Sequence, residues 1–371
     1  MIIIFQNNHG GLEMNEQLTI APRRIGWFCS YVPEEIILAA GCEPVRLEGR
    51  VERFQEIDSY LHANLCFTIR NIFESGLRKQ YDDLDAVIFA NSCDGMRRLY
   101  ELWSHYIQTP AAYFLEIPKN RDENGISFFS SQLLNLKNQL EEDFAVSITA
   151  ERLVQAGLQM NERRGKMLEL FERQKASPLP YKGSELHTLA IQEGRLPKRD
   201  MYPEIQSVLE KPVPVQPVGK AAPRLLVSGN EGTTPTLFRL IENSNADVVL
   251  FDTCRGLNHY TGMVSMGNDP IQSIARRYLF KPACARMPGS AQRMERLAAL
   301  IDEYAIDGVV YSGVQFCDYT LFESALIEPF LKARSLPVLV VENDYIWSNT
   351  EQIRTRIEAF VEMTQNKRRT A

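Results

Sequence analysis

Cys93 and Cys317 stand in closely similar surroundings. Each follows a short apolar run, "DAVIFA" or "DGVVYSG", and each is followed directly by an aspartate, in "NSCDGMRR" and "QFCDYTLF". A cysteine at such a place is either a small packed hydrophobe or a soft thiolate that ligates a metal. The chain holds seven cysteines, an odd number, widely spaced and without a C-x-x-C pair. That pattern excludes a zinc ribbon and a thioredoxin-type motif, so any metal site has to be assembled from distant segments. The five histidines show no metal-ligand spacing, and His259 in "GLNHYTG" is at most a wall residue of a pocket.

The elements that would carry these residues alternate. "RRIGWFCSYV" (23–32) reads as a strand, and "PEEIILAAG" begins a helix, with Pro33 in the first turn, two glutamates at its positive end and Gly41 as its stop. "EPVRLEG", "LDAVIFANS" and "AAYFLEIP" read as further strands, while the stretch from Val51 to Tyr81 and "GMRRLYELWSHY" read as helices. Short apolar runs between helices predict a parallel sheet covered on both faces. From 127 to about 215 apolar residues recur at helical spacing, ending in the proline-rich linker "KPVPVQPVGKAAP". The alternation then restarts with strands "RLLVSG", "ADVVLFD", "IDGVVYSG" and "LPVLVVEND". The expected fold is α/β: two Rossmann-like parallel-sheet domains, 1–126 and 221–371, joined by a helical segment and linker, 127–220. Ligands of open parallel sheets bind beyond the carboxyl ends of the strands. Cys93 and Cys317 both fall there, and a cleft between the domains would bring them together.

A net charge of −6 argues against a nucleic-acid groove, and no apolar run approaches the ~20 residues of a membrane span. The opening "MIIIF" has neither the basic lead nor the length of a signal segment, which points to a cytoplasmic protein in which structural disulfides are disfavoured. Met14 is an alternative start. "GNEGTTP" (229–235) bears glycines before a helix but lacks the G-K-[ST] ending of a Walker A loop, so the chain is not expected to bind ATP itself.

Six stretches resemble, in order, the 2-hydroxyacyl-CoA dehydratase and benzoyl-CoA reductase subunit family, of the D-component type. They are "GWFCSYVPEEIILAAGCEPVRL", "ANLCFTIRN", "NSCDGMRRLYEL", "RYLFKPACARM", "DGVVYSGVQFCDYTLFE" and "LVVENDYIWSNTEQIRTRIEAF". The resemblance implies an oxygen-sensitive [4Fe–4S] subunit that works beside a related second subunit. It further implies an ATP-dependent iron–sulfur activator that injects one electron, so that an (R)-2-hydroxyacyl-CoA loses water through a ketyl radical to give the 2-enoyl-CoA. By motif position it assigns Cys66, Cys93 and Cys317 as the cluster ligands, with Cys93 and Cys317 delivered by strand ends and Cys66 by a helix over 55–75. Three thiolates on four irons leave one iron open.

Cys29, Cys254 and Cys284 also occupy family motifs and form a second tier. Together the six thiols would suffice for the bridged double-cubane cluster carried by one branch of the family. That branch tends to have further cysteines where this chain reads "RKQYDDLD" and "VSGNEGT". Cys42, just past the helix-stopping Gly41, is expected to be a packed residue. The resemblance assigns no catalytic side chain. The alternative functions are a double-cubane reductase and a benzoyl-CoA reductase-like subunit, redox proteins rather than a dehydratase.

Overall fold

The computed structural model describes residues 22–212, 222–230 and 235–370. Met14, the centre of the proline-rich linker and the middle of "GNEGTTP" lie outside the described residues. The first four strands are β1 (Arg24–Trp27), β2 (Glu43–Arg46), β3 (Ala86–Ala90) and β4 (Ala112–Leu115). They form one sheet, entirely parallel, in the order β2-β1-β3-β4. The next four are β5 (Arg224–Gly229), β6 (Asp247–Asp252), β7 (Gly308–Val314) and β8 (Val338–Asn343), again all parallel, in the order β6-β5-β7-β8. The expected pair of Rossmann-like sheets is therefore present. β3 and β7 are buried along their whole lengths, which is why they read as unbroken apolar runs.

Helices α1 (Glu34–Ala39), α2 (Phe67–Leu77) and α3 (Asp94–Tyr106) are interleaved with the first sheet. Four follow it: α4 (Glu123–Phe144), α5 (Ala150–Arg173), α6 (Gly183–Arg195) and α7 (Lys198–Leu209). The second half adds α8 (Pro235–Asn243), α9 (Leu257–Tyr260), α10 (Pro270–Phe280), α11 (Ser290–Glu303), α12 (Asp318–Ala333) and α13 (Thr350–Thr370). One face of the first sheet is packed by α2 and α3 through Phe73, Leu99 and Trp103. Its other face is covered by α1, α4 and α5, and also by α10, whose Ile274 and Tyr278 join the same core as Phe129 and Leu133. Helix α10 thus comes from the second half of the sequence but packs on the first sheet. Helix α6 contacts both β2 and β6. The two halves are locked together by shared helices.

In each sheet the strand order reverses beside the strand that opens it, between β1 and β3 and between β5 and β7. These are the switch points at which open α/β sheets bind ligands. Gly229 ends β5 at the second one with φ +125°, and a Cβ there would meet the Ser312 carbonyl oxygen at 1.9 Å, so no other residue fits.

Two expectations need correction. The strand expected over 23–32 stops at Trp27, and Cys29 to Val32 form the turn into α1. The helix expected from Val51 to Tyr81, and over 55–75 around Cys66, forms only from Phe67; before it lies a loop with one 3-10 turn, Ile57–Ser59. Side chains of α2 explain this. The Glu74 carboxylate accepts the backbone N–H groups of Gln55, Glu56 and Ile57, and Asn71 pairs with both backbone groups of Val51. Those bonds satisfy the loop backbone without a helix.

Glu74→Ala should therefore lower stability by about 1–3 kcal/mol, since it strands the buried Ile57 N–H and removes the partner of Gln55, Glu56 and Arg78, and denaturant titration checks this. Burial works to raise the Glu74 pKa, but the Arg78 guanidinium and the three N–H groups outweigh it and hold the carboxyl below its usual range. A depressed folded-state pKa means that this stabilisation is present above the unfolded pKa and is lost as the pH falls through the folded value.

Candidate functional site: a six-thiol cavity between the sheets

The correction at Cys66 bears directly on the site. Cys66, Cys93 and Cys317 are the N-cap residues of α2, α3 and α12. Each sulfur therefore sits at the positive end of a helix of eleven residues or more, where negative charge is favoured. The turn before Cys317 is strained: Phe316 has φ +61°, a conformation that non-glycine residues hold only under constraint. The constraint comes from the other half of the molecule. The Phe67 N–H donates to the Gln315 carbonyl at 3.3 Å, and the Phe67 and Phe316 rings meet edge to face at 5.4 Å.

These three residues line one cavity of about 170 Å³, and Cys29, Cys254 and Cys284 line it too. Cys29 follows β1 and Cys254 follows β6, so four of the six thiols come from segments at strand ends and the cavity bridges both switch points. Phe28, Leu47, Ile69, Ile72 and Met96 make an apolar wall, while Asn64, Asp94, Phe316, Asp318 and Tyr319 are its exposed members and mark the mouth. Cys42 lies elsewhere. It is buried in the core under α1, where burial pushes its thiol up to about 11. His259 does not reach the cavity. It is buried behind it, stacked on Trp27, with Nε2 3.4 Å from Glu34. Burial drives its pKa well below the usual value, so the imidazole is neutral at pH 7.

Cys66 and Cys317 shift each other's ionisation in opposite directions. Hydrogen bonding from Cys66 pulls the Cys317 thiol down to about 4 against the opposing effect of burial, and the Arg286 guanidinium, 3.7 Å away, adds to the fall. The same hydrogen bond, reinforced by burial, pushes Cys66 up.

Cations hold the loops around the thiols. Lys281 donates to the carbonyl and hydroxyl of Ser30, beside Cys29; Lys119 donates to the Ser92 carbonyl, beside Cys93, and to the Arg286 carbonyl. Arg46 donates to the Cys254 carbonyl at 2.9 Å, and Arg286 itself stands in the cavity wall. Burial, aided by Arg277, pulls Lys281 down to about 7, while the Cys29, Cys284 and Cys254 sulfurs pull it upward. The contacts by which these cations reach the site join residues more than twenty positions apart, so the sequence does not show them, although Arg46, Lys281 and Arg286 lie in the family-like stretches.

Six soft sulfurs, three helix N-termini, a partly apolar wall and a cationic surround suit a polyanionic, thiolate-ligated group. Among the described residues, no three Cys, His or carboxylate side chains converge at the spacing of a single ion. The six thiols instead line one cavity. The donor set fits an iron–sulfur cluster.

Fold and site thus define a two-sheet α/β protein built around a thiol cavity between the sheets. Residues 29–364 match the family described as 2-hydroxyglutaryl-CoA dehydratase, D-component, and the chain belongs to that family. It is 26% identical over 350 residues to the Escherichia coli (strain K12) protein named "Putative dehydratase subunit YjiM", covering 91% of each chain. It is 22% identical to the (R)-phenyllactyl-CoA dehydratase beta subunit of Clostridium sporogenes, covering 92% of this chain and 91% of the relative. A benzoyl-CoA reductase subunit of Thauera aromatica is 23% identical, with 85% of this chain and 84% of that one covered. Among the described residues no helix is long and apolar enough to cross a membrane.

Proposed function

We propose that the chain is the iron–sulfur subunit of a 2-hydroxyacyl-CoA dehydratase, a hydro-lyase that removes water from an (R)-2-hydroxyacyl-CoA to give the 2-enoyl-CoA. The observation that carries the proposal is the convergence of six thiols on one cavity in a chain of the dehydratase D-component family. Cys66, Cys93 and Cys317 would hold a [4Fe–4S] cluster, which supplies one-electron chemistry and an open iron position. The chain's own contribution is electrostatic and steric. The three helix N-termini and Arg286 stabilise negative charge at the sulfurs, and Phe28, Leu47, Ile69 and Met96 keep water from that side of the cavity. The partners are a related second subunit, as the beta-subunit name of the Clostridium sporogenes relative suggests for that enzyme, and an ATP-dependent activator that delivers the electron.

A second reading is favoured by the placement of Cys29, Cys254 and Cys284 in the same cavity wall. Those thiols would hold a second cubane, making the chain a double-cubane reductase; a benzoyl-CoA reductase-like subunit is the other redox alternative. Anaerobic reconstitution of the combined Cys29→Ala, Cys254→Ala, Cys284→Ala variant separates the two. Under the dehydratase reading it keeps the wild-type iron content and visible absorbance. Under the double-cubane reading it loses about half of both.

A further inference from the structure

Beneath the cavity, Arg293 of α11 is buried with every one of its guanidinium nitrogens engaged, and three of its four partners belong to segments that carry a cavity thiol. Its Nε pairs with Glu323, six residues after Cys317 on α12. Its Nη1 donates to Asp252, two residues before Cys254, at 3.3 Å, and to the Ala283 carbonyl, one residue before Cys284, at 3.2 Å. Its Nη2 donates to the Ser228 hydroxyl at 3.3 Å. Tyr311 donates to the second oxygen of Glu323 at 2.8 Å and so orients that carboxylate, and Arg296 stands 3.9 Å from Asp252. Arg293, Asp252, Glu323 and Ser228 are all less than one-tenth exposed.

A buried ionic network of this kind is a poor way to gain stability, because well-packed apolar residues often do as well, but its fixed bond directions can specify one arrangement of the chain. We propose that Arg293 is the positioning residue that sets the mutual spacing of Cys254, Cys284 and Cys317, and hence the geometry of their side of the thiol cavity. The planar fork matters: one side chain ties three segments whose cysteines are 30 to 63 positions apart in the sequence, and a lysine could not reproduce the three directions. The consequence for cluster loading rests on the iron–sulfur reading above. The tethering of the three loops does not.

The test compares Arg293→Met and Arg293→Lys with wild type and with Ser228→Ala, which removes the one tether to a segment without a cysteine. Hydrogen exchange of the metal-free chain, read by mass spectrometry, should rise at least tenfold in 253–256, 283–287 and 315–318 for Arg293→Met, with β5 and β7 unchanged. Arg293→Lys should be intermediate, and Ser228→Ala should match wild type. After anaerobic reconstitution, Arg293→Met should hold less than half the wild-type iron. Unchanged exchange in those three loops together with wild-type iron would overturn the proposal. If Arg293→Met does not fold, Glu323→Gln should loosen 315–318 alone and Asp252→Asn 253–256 alone. Global unfolding of all three variants would instead make Arg293 an ordinary core residue and reject the proposal. A wild-type chain that takes up no iron defeats the iron–sulfur reading, while the exchange data still decide whether Arg293 tethers the loops.

Discussion

Cys93→Ala or Cys317→Ala should abolish cluster assembly, leaving anaerobically reconstituted protein with background iron and no visible absorbance. The expectation rests on geometry as well as motif. Both residues hold the N-cap position of a helix in the cavity wall, and hydrogen bonding from Cys66 together with the nearby Arg286 lowers the pKa of Cys317. A thiolate is the ligating form, so the sulfur most readily deprotonated is also the one most costly to lose. Cys66→Ala should be nearly as damaging, because it removes the third thiolate ligand of the set. Cys42→Ala should leave the absorbance unchanged and cost only a small packing term, since that thiol is buried under α1 with a raised pKa, away from the cavity. Equal loss from Cys42→Ala and Cys93→Ala would show that the ligand set is wrong.

The second large effect is on turnover. The isolated chain should not dehydrate 2-hydroxyacyl-CoA at a detectable rate. Its sequence carries no Walker A loop, and the proposed function assigns ATP hydrolysis and electron delivery to a separate activator. Activity should appear only when a related second subunit, an activator ATPase, ATP with Mg²⁺ and a strong reductant are all present, and omission of any one should return the rate to background. Following 2-enoyl-CoA formation anaerobically checks this. ATP-independent turnover by the chain alone would refute the dehydratase reading and favour a self-sufficient reductase or lyase.

Much of this architecture is legible in the sequence, for identifiable reasons. β3 and β7 are buried on both faces, so their apolar runs mark them without ambiguity, and the cysteines that follow fall at strand ends by simple chain order. Gly41 stops α1 with φ +78°, as its position implies. The position of Cys66 is harder to read. Residues 51–66 have helical spacing, but Glu74 and Asn71 on α2 capture their backbone N–H groups, and that long-range competition leaves no local mark. The start of α2 at Phe67 makes Cys66 a cap and changes the site from two helix ends to three. The packing of α10 on the first sheet is equally hidden, because an amphipathic helix does not disclose which sheet it will cover. The cations Arg46, Lys281 and Arg293 look like ordinary surface charges in the sequence, and only folding buries them near the thiols; Lys119 stays exposed but is brought to the Ser92 carbonyl.

The central claim is that the cavity holds a cluster, and iron and acid-labile sulfide analysis of the protein isolated under strict anaerobiosis tests it most directly. The account predicts about four irons and four sulfides per chain, with a brown colour that bleaches in air. A colourless, iron-free protein from an iron-replete anaerobic preparation would contradict it.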